Sequence, residues 1–185
     1  METENNANII ETTVESVRVF DGLILHIDHA TNRLPNGKLA AREIARHVGA
    51  SAVVPVDGEG NVWLVRQYRA PIDKVLLEIP AGKLDFPGED RQLAAIRELE
   101  EETGLTAGRW THLADIVTTP GFSDEKISLY LAQELSPGQS HPDEDEFLNV
   151  VRIPLEELVA MIMRGEVPDS KTICAVLMAN QIING

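Results

Sequence analysis

The sequence predicts an α+β fold, or a sheet sandwiched between helices, in place of a doubly wound parallel sheet. Three observations predict it. Short apolar runs at 51–56, 62–68, 75–79, 113–117, 126–133 and 147–153 read as strands. Helical patterns fall only at 89–103, after Pro154 and after Asp169, with no regular strand–helix alternation and no internal repeat. Two tight-turn signals near the N-terminus, Asp21-Gly22 and Asn36-Gly37, predict antiparallel strands.

Residues 1–10 are polar and Asn-rich and read as a tail. From 12 to 47 the apolar residues Val17, Val19, Leu23, Leu25 and Ile27 alternate, as in strands. That segment is too small to hold a core alone, so it is expected to pack on the rest of the chain or on a second copy. The chain is thus read as an N-terminal β segment, 1–47, and a main domain, 48–185. Strands 51–56 and 62–68 flank the turn Asp57-Gly58-Glu59-Gly60. A Gly/Pro-rich loop separates strand 75–79 from the helix 89–103, which Gly104 stops. Leu93, Ile96 and Leu99 predict that helix's buried side. Pro154 opens a second helix, which ends at Arg164-Gly165. Asp169 caps a third, running through Ile183.

Composition excludes several classes. The chain has 185 residues, 43% apolar and 25% charged, as expected of one globular domain with a small appendage. Its longest apolar run, 173–179, is far too short to span a membrane. The N-terminus is acidic and lacks the apolar stretch of a secretory signal, so a cytoplasmic location is expected. A single cysteine, Cys174, excludes an intramolecular disulfide and a cysteine-built zinc site. The net charge of −14 repels duplex nucleic acid and anionic lipid, so neither is expected as a partner.

The acids cluster at 98–102 and 143–146. Glu98, Glu101 and Glu102 stand at i, i+3 and i+4 and share a helix face, where like charges destabilise by roughly 0.2–0.5 kcal/mol per pair. They also lie near the helix C-terminus, where the dipole disfavours anions. A hard cation reverses that sign, since Mg²⁺ takes carboxylate oxygens. Glu100 points elsewhere. Arg97 is placed to pair with Glu101. In the preceding loop, 79–88, backbone groups can approach phosphate or metal closely.

Together, loop and helix resemble the Nudix box. Glu89, seven residues, then Arg97-Glu98-Leu99-Glu100-Glu101-Glu102-Thr103-Gly104-Leu105 fits that pattern without a gap. Gly82 precedes Glu89 by six intervening residues where the family has five, the extra one falling around Phe86-Pro87. The flanks 65–69, 77–82, 119–125, 143–146 and 165–172 resemble ADP-ribose pyrophosphatases.

The resemblance implies an α/β/α sandwich with a mixed sheet and a hydrolase that uses Mg²⁺ or Mn²⁺. Its substrate is expected to be a nucleoside diphosphate sugar, ADP-ribose first, giving AMP and ribose 5-phosphate. The resemblance makes Glu98, Glu102 and Glu146 metal ligands and Glu101 a ligand or base. Ala81 offers its carbonyl to metal, and Glu144 acts on the attacking water. Arg69 and Glu78 are expected on the substrate, as are Gly121, Phe122, Asp124 and Glu125. The N-terminal strands match a segment exchanged across a homodimer. Two alternatives stand beside this reading. One is a pyrophosphatase for GDP-mannose or another nucleotide sugar, and the other is a non-catalytic nucleotide-sensing Nudix module. Trp63 and Tyr68 are expected in the core rather than on a base. The five histidines lack metal-ligand spacing, and Cys174 reads as a small buried hydrophobe.

Overall fold

The structure, a computed structural model, describes residues 6–138 and 147–185, which fall into two compact units. The smaller joins the described part of Met1–His47 to the distant segment Val117–Glu125. Its strands β1 (Thr12–Asp21), β2 (His26–Arg33) and β3 (Leu39–Arg46) form an antiparallel sheet, β2 in the centre. The turn signals act as expected: Gly37 takes φ +83°, and the Asn36 side chain accepts from the Lys38 N–H at 3.1 Å. The segment Val117–Glu125 joins β3 through the Ala45 N–H, which donates to the Phe122 carbonyl at 2.7 Å.

The larger unit, Val48–Ile116 with Lys126–Gly185, carries the main core. Its strands are β4 (Ala50–Pro55), β5 (Asn61–Arg69), β6 (Lys74–Glu78), β7 (Ala81–Lys83), β8 (Leu105–Val117), β9 (Lys126–Pro137) and β10 (Leu148–Pro154). Its helices are α1 (Arg91–Thr103), α2 (Leu155–Met163) and α3 (Ser170–Asn184). One sheet runs β7-β4-β9-β8 and is mixed, with β4 antiparallel to β7 and parallel to β9. The other, β10-β5-β6, is antiparallel.

Strand periodicity makes the layers. On β4, Ala50, Ala52 and Val54 face a core shared with Leu158 of α2 and Ala175, Val176 and Ala179 of α3. Val53 points the other way, to Leu99 of α1 and Ala132 of β9. The result is the expected α+β sandwich, with α1 on one face and α2–α3 on the other.

Three expectations are corrected. Strand β8 begins at Leu105, not at 113, because Leu105, Ala107 and Trp110 pack beside Leu99, a pattern masked in sequence by Gly108-Arg109. Leu93 is 63% exposed, and the buried stripe of α1 is Ala94, Ala95 and Leu99 together with Glu98 and Glu102. Trp63 and Tyr68 are not core residues: the Trp63 indole N–H donates to Asp57 and the Tyr68 hydroxyl to Asp73. Cys174 is half-buried, packed against the main core.

Candidate active site

Helix α1 is held at both ends by its own sequence. The Asp90 carboxylate caps the N–H groups of Gln92 and Leu93, both at 2.9 Å. Gly104 takes φ +68° and returns its N–H to the Glu100 carbonyl at 2.8 Å. Between these ends, Glu98 and Glu102 are 7% and 5% exposed, and Glu101 is half-buried one turn from Glu98. The shared face predicted by spacing is therefore real, and it lies inward.

Strand β7 supplies the opposite wall. Pairing with β4 sets Ala81 opposite Ala52 and Gly82 opposite Ser51. A Cβ on Gly82 would fall within the Glu98 carboxylate, so the absent side chain makes room for Glu98. The extra loop residue does not disturb this fit. A turn at Phe86–Glu89, with Gly88 at φ +87°, absorbs it, and Glu89 closes back on the Asp85 N–H at 2.7 Å.

Arg97 is shared among four carboxylates: Glu98 at 2.7 Å, Glu101 at 3.2 Å, Asp85 at 3.5 Å and Glu89 at 3.6 Å. Burial works against its charge, yet Glu98, Asp85, Glu101 and Glu89 outweigh that, and its pKa is raised. Sequence spacing anticipated the Glu101 contact but not those with Asp85 and Glu89.

The donor set suits a hard divalent cation. Buried carboxylates from α1 face the backbone of β7, and one guanidinium serves several anions. Among the described residues no group of three or more His, Cys, Asp or Glu side chains is placed to hold a metal ion. Glu144 and Glu146, expected as base and ligand, lie outside the described residues.

A second polar centre forms where β5, β6 and the start of α3 meet. Glu78 is 1% exposed. Arg69 forks onto it, Nε to Oε1 at 2.8 Å and Nη2 to Oε2 at 2.7 Å. Lys171, itself buried, bonds Glu78 Oε2 and also reaches Asp169 at 3.1 Å. Asp169 caps α3 by accepting from the Thr172 N–H and hydroxyl, and that hydroxyl accepts from the Ile79 N–H at 2.9 Å. Burial pushes the Glu78 carboxyl up, but Arg69 and Lys171 outweigh it and hold the pKa below the ordinary value. Arg69 is raised mainly by Glu78, with Asp169 and Glu102 adding to the effect, so this centre is electrostatically linked to the carboxylate face. Arg69 and Glu78, both expected at the substrate, are thus brought together. Lys171 was missed. The sequence signals were its place in the flank 165–172 and a lysine in the first turn of a helix, where the dipole disfavours it.

In the smaller unit, the loop 119–125 borders a cavity of about 320 Å³ lined by Asn32, Arg42, Arg46, Pro120 and Phe122 among others. Phe122 is 60% exposed, and Gly121 also lines the cavity. Asp124 and Glu125 are engaged within the unit: Asp124 accepts from Arg46 at 3.0 Å and from the His47 N–H at 2.8 Å, and Glu125 accepts from the Thr118 hydroxyl at 2.6 Å.

The NUDIX domain model matches residues 45–176, most of the chain and all of the α1 face. The chain belongs to the Nudix hydrolase family. An ADP-ribose pyrophosphatase of Bacillus subtilis is 42% identical over 168 residues, 90% of each chain. The methanol dehydrogenase activator of Bacillus methanolicus is equally similar, with 42% identity and the same coverage. An ADP-ribose pyrophosphatase of Mycobacterium tuberculosis is 38% identical over 176 residues, covering 94% of this chain and 84% of its own. Among solved structures, an ADP compounds hydrolase superposes with a TM-score of 0.82 at 26% identity, covering 95% of both chains. The Nudix fold thus extends to the N-terminal three-stranded sheet. No helix among the described residues is long and apolar enough to cross a membrane.

Proposed function

We propose that this Nudix hydrolase cleaves the pyrophosphate of ADP-ribose, adding water to give AMP and ribose 5-phosphate, with Mg²⁺ or Mn²⁺ as cofactor. The observation that carries the reading is the inward carboxylate face of α1 packed against the backbone of β7. Glu98, Glu102 and the Ala81 carbonyl would hold the metal, with Glu146 as a further ligand. Bound there, Mg²⁺ would neutralise the pyrophosphate and lower the pKa of water. Arg69 would take a phosphate oxygen, and Glu78 keeps its guanidinium oriented. Glu144 would accept the water's proton, with Glu101 the next candidate. The cavity of the smaller unit exposes Phe122, an aromatic face on which a base could stack.

Assembly belongs to the same reading. The smaller unit has Ala30 as its one buried apolar residue among those described, while Val17, Val19, Phe20, Leu23, Ile24 and Leu25 are all more than half exposed. A homodimer that covers them accounts for this surface.

The test is a product assay with Mg²⁺ on ADP-ribose, GDP-mannose and a dinucleotide. ADP-ribose should turn over fastest, giving AMP. Preference for GDP-mannose would favour the nucleotide-sugar alternative, and no turnover of any would overturn hydrolysis. A Mg²⁺ titration of initial rates separates the two loop acids. Glu146→Gln should be partly rescued by excess Mg²⁺, whereas Glu144→Gln should lose kcat without rescue. A second reading, regulation of a dehydrogenase, is favoured by the similarity to the Bacillus methanolicus activator. Because the box carboxylates are all retained, that role would accompany catalysis, and Glu98→Gln should abolish any stimulation of a methanol dehydrogenase.

A further inference from the structure

The buried lysine at the start of α3 has no counterpart in the roles assigned above. Lys171 is 8% exposed and occupies the first turn of the helix, next to the Asp169 cap. Both features oppose a lysine. Burial penalises its charge, and the helix N-terminus repels cations. A methionine would fill similar space without either cost. The position is therefore explained by what the charge does there.

Charge accounting supplies the answer. Arg69 gives two donors to Glu78, and its side chain remains 40% exposed, leaving an open edge. Without Lys171, that one guanidinium would face both Glu78 and Asp169, and the cluster would be net negative. An anionic substrate would then meet an arginine already over-neutralised, beside the acidic face of α1. With Lys171 the two anions and two cations balance. Lys171 takes up Asp169 and part of Glu78, and Arg69 keeps its attraction for an outside anion.

We propose that Lys171 is a positioning residue that acts through Glu78 and Asp169 to keep Arg69 available to the substrate's phosphates. Asp169 is the opposing weight, so the two residues set the affinity of Arg69 for anions in opposite directions. This rests on the phosphate-binding role given to Arg69 above, but not on which nucleotide is the substrate.

The test uses full-length wild type, Lys171→Met, Asp169→Asn and the double variant. Two readouts apply: KM and kcat for ADP-ribose with Mg²⁺, and calorimetric binding of inorganic pyrophosphate with Mg²⁺. Lys171→Met should raise KM and weaken pyrophosphate binding by about tenfold, with kcat changed less. Asp169→Asn keeps a helix cap and should tighten pyrophosphate. The double variant is again balanced and should return to within about threefold of wild type. A structural lysine would give no such rescue. Unchanged KM and binding in a folded Lys171→Met, or a double variant no better than the single, overturns the proposal. If Lys171→Met does not fold, Asp169→Asn decides alone, and unchanged or weaker pyrophosphate binding overturns it. Failure of wild type to hydrolyse ADP-ribose would strike the proposed substrate, while pyrophosphate binding would still read the role of Lys171.

Discussion

Two buried carboxylate centres in the larger unit invite comparison, because they share chemistry and differ in balance. At Glu78 the carboxylate faces two cations, Arg69 and Lys171, and its pKa is held down. Around α1, among the described residues, the guanidinium of Arg97 is shared by Glu98 and Glu101 of the helix and Asp85 and Glu89 of the loop before it. The first centre is complete as folded. At the second, among the described residues, several carboxylates gather round one guanidinium, and Glu98 and Glu102 are buried there. Burying charge costs stability, and buried carboxylates in clusters are found more often at functional sites. The contrast is the basis of the proposal that the first cluster orients Arg69 and the second holds a metal.

The sharpest way to break the comparison is to neutralise one carboxylate in each centre. Glu78→Gln should destabilise the fold by about 3 kcal/mol, because buried Lys171 and half-exposed Arg69 lose their shared partner. Denaturant unfolding reads this, and an unchanged midpoint would show that the cluster is not a closed pair. Glu98→Gln or Glu102→Gln should do the reverse. The metal-free fold should be as stable as wild type or more so, while kcat falls by roughly a hundredfold or more. Retained kcat would remove these residues from the chemistry.

Gly82→Ala sharpens the α1 side of the contrast. The new methyl would take the space of the Glu98 carboxylate and push it out of place. A loss of roughly ten- to a hundredfold in rate is expected, with a higher Mg²⁺ requirement. A Mg²⁺ titration of initial rates checks it, and a normal titration would mean that Glu98 needs no such room.

The smallest effect belongs to Asp57, a carboxylate balanced at the surface. Burial pushes it up, but Arg152 and the N–H groups of Asn61, Glu59 and Trp63 bring it down to about 2. Because the folded value lies below the unfolded one, its contribution is full above about pH 4 and is lost as pH falls through about 2. The stability difference between wild type and Asp57→Asn should therefore be flat at neutral pH and narrow in that acid window. A constant difference down to pH 2 would contradict the assignment.

The α1 face was legible in sequence because helical period places Glu98, Glu101 and Glu102 together whatever surrounds them. The ends at Gly104 and Asp169 were legible for the same local reason, whereas the Asp90 cap was not, since the helix was expected from Glu89. The Glu78 centre was not, since Lys171 reaches a partner 93 residues away and only the tertiary fold joins them. Leu93 misled because three apolar residues at equal spacing fit the period, while the sheet selected the stripe of small side chains beside it. The start of β8 escaped because a Gly-Arg pair interrupts its alternation.

The central proposal, that the carboxylate face of α1 holds a metal, is tested most directly by thermal unfolding with and without Mg²⁺. Ligand binding to the folded state raises Tm with concentration. The account predicts a Mg²⁺-dependent rise in Tm for wild type and Lys171→Met, and little or none for Glu98→Gln and Glu102→Gln. An equal rise in all four, or none in wild type, would contradict it.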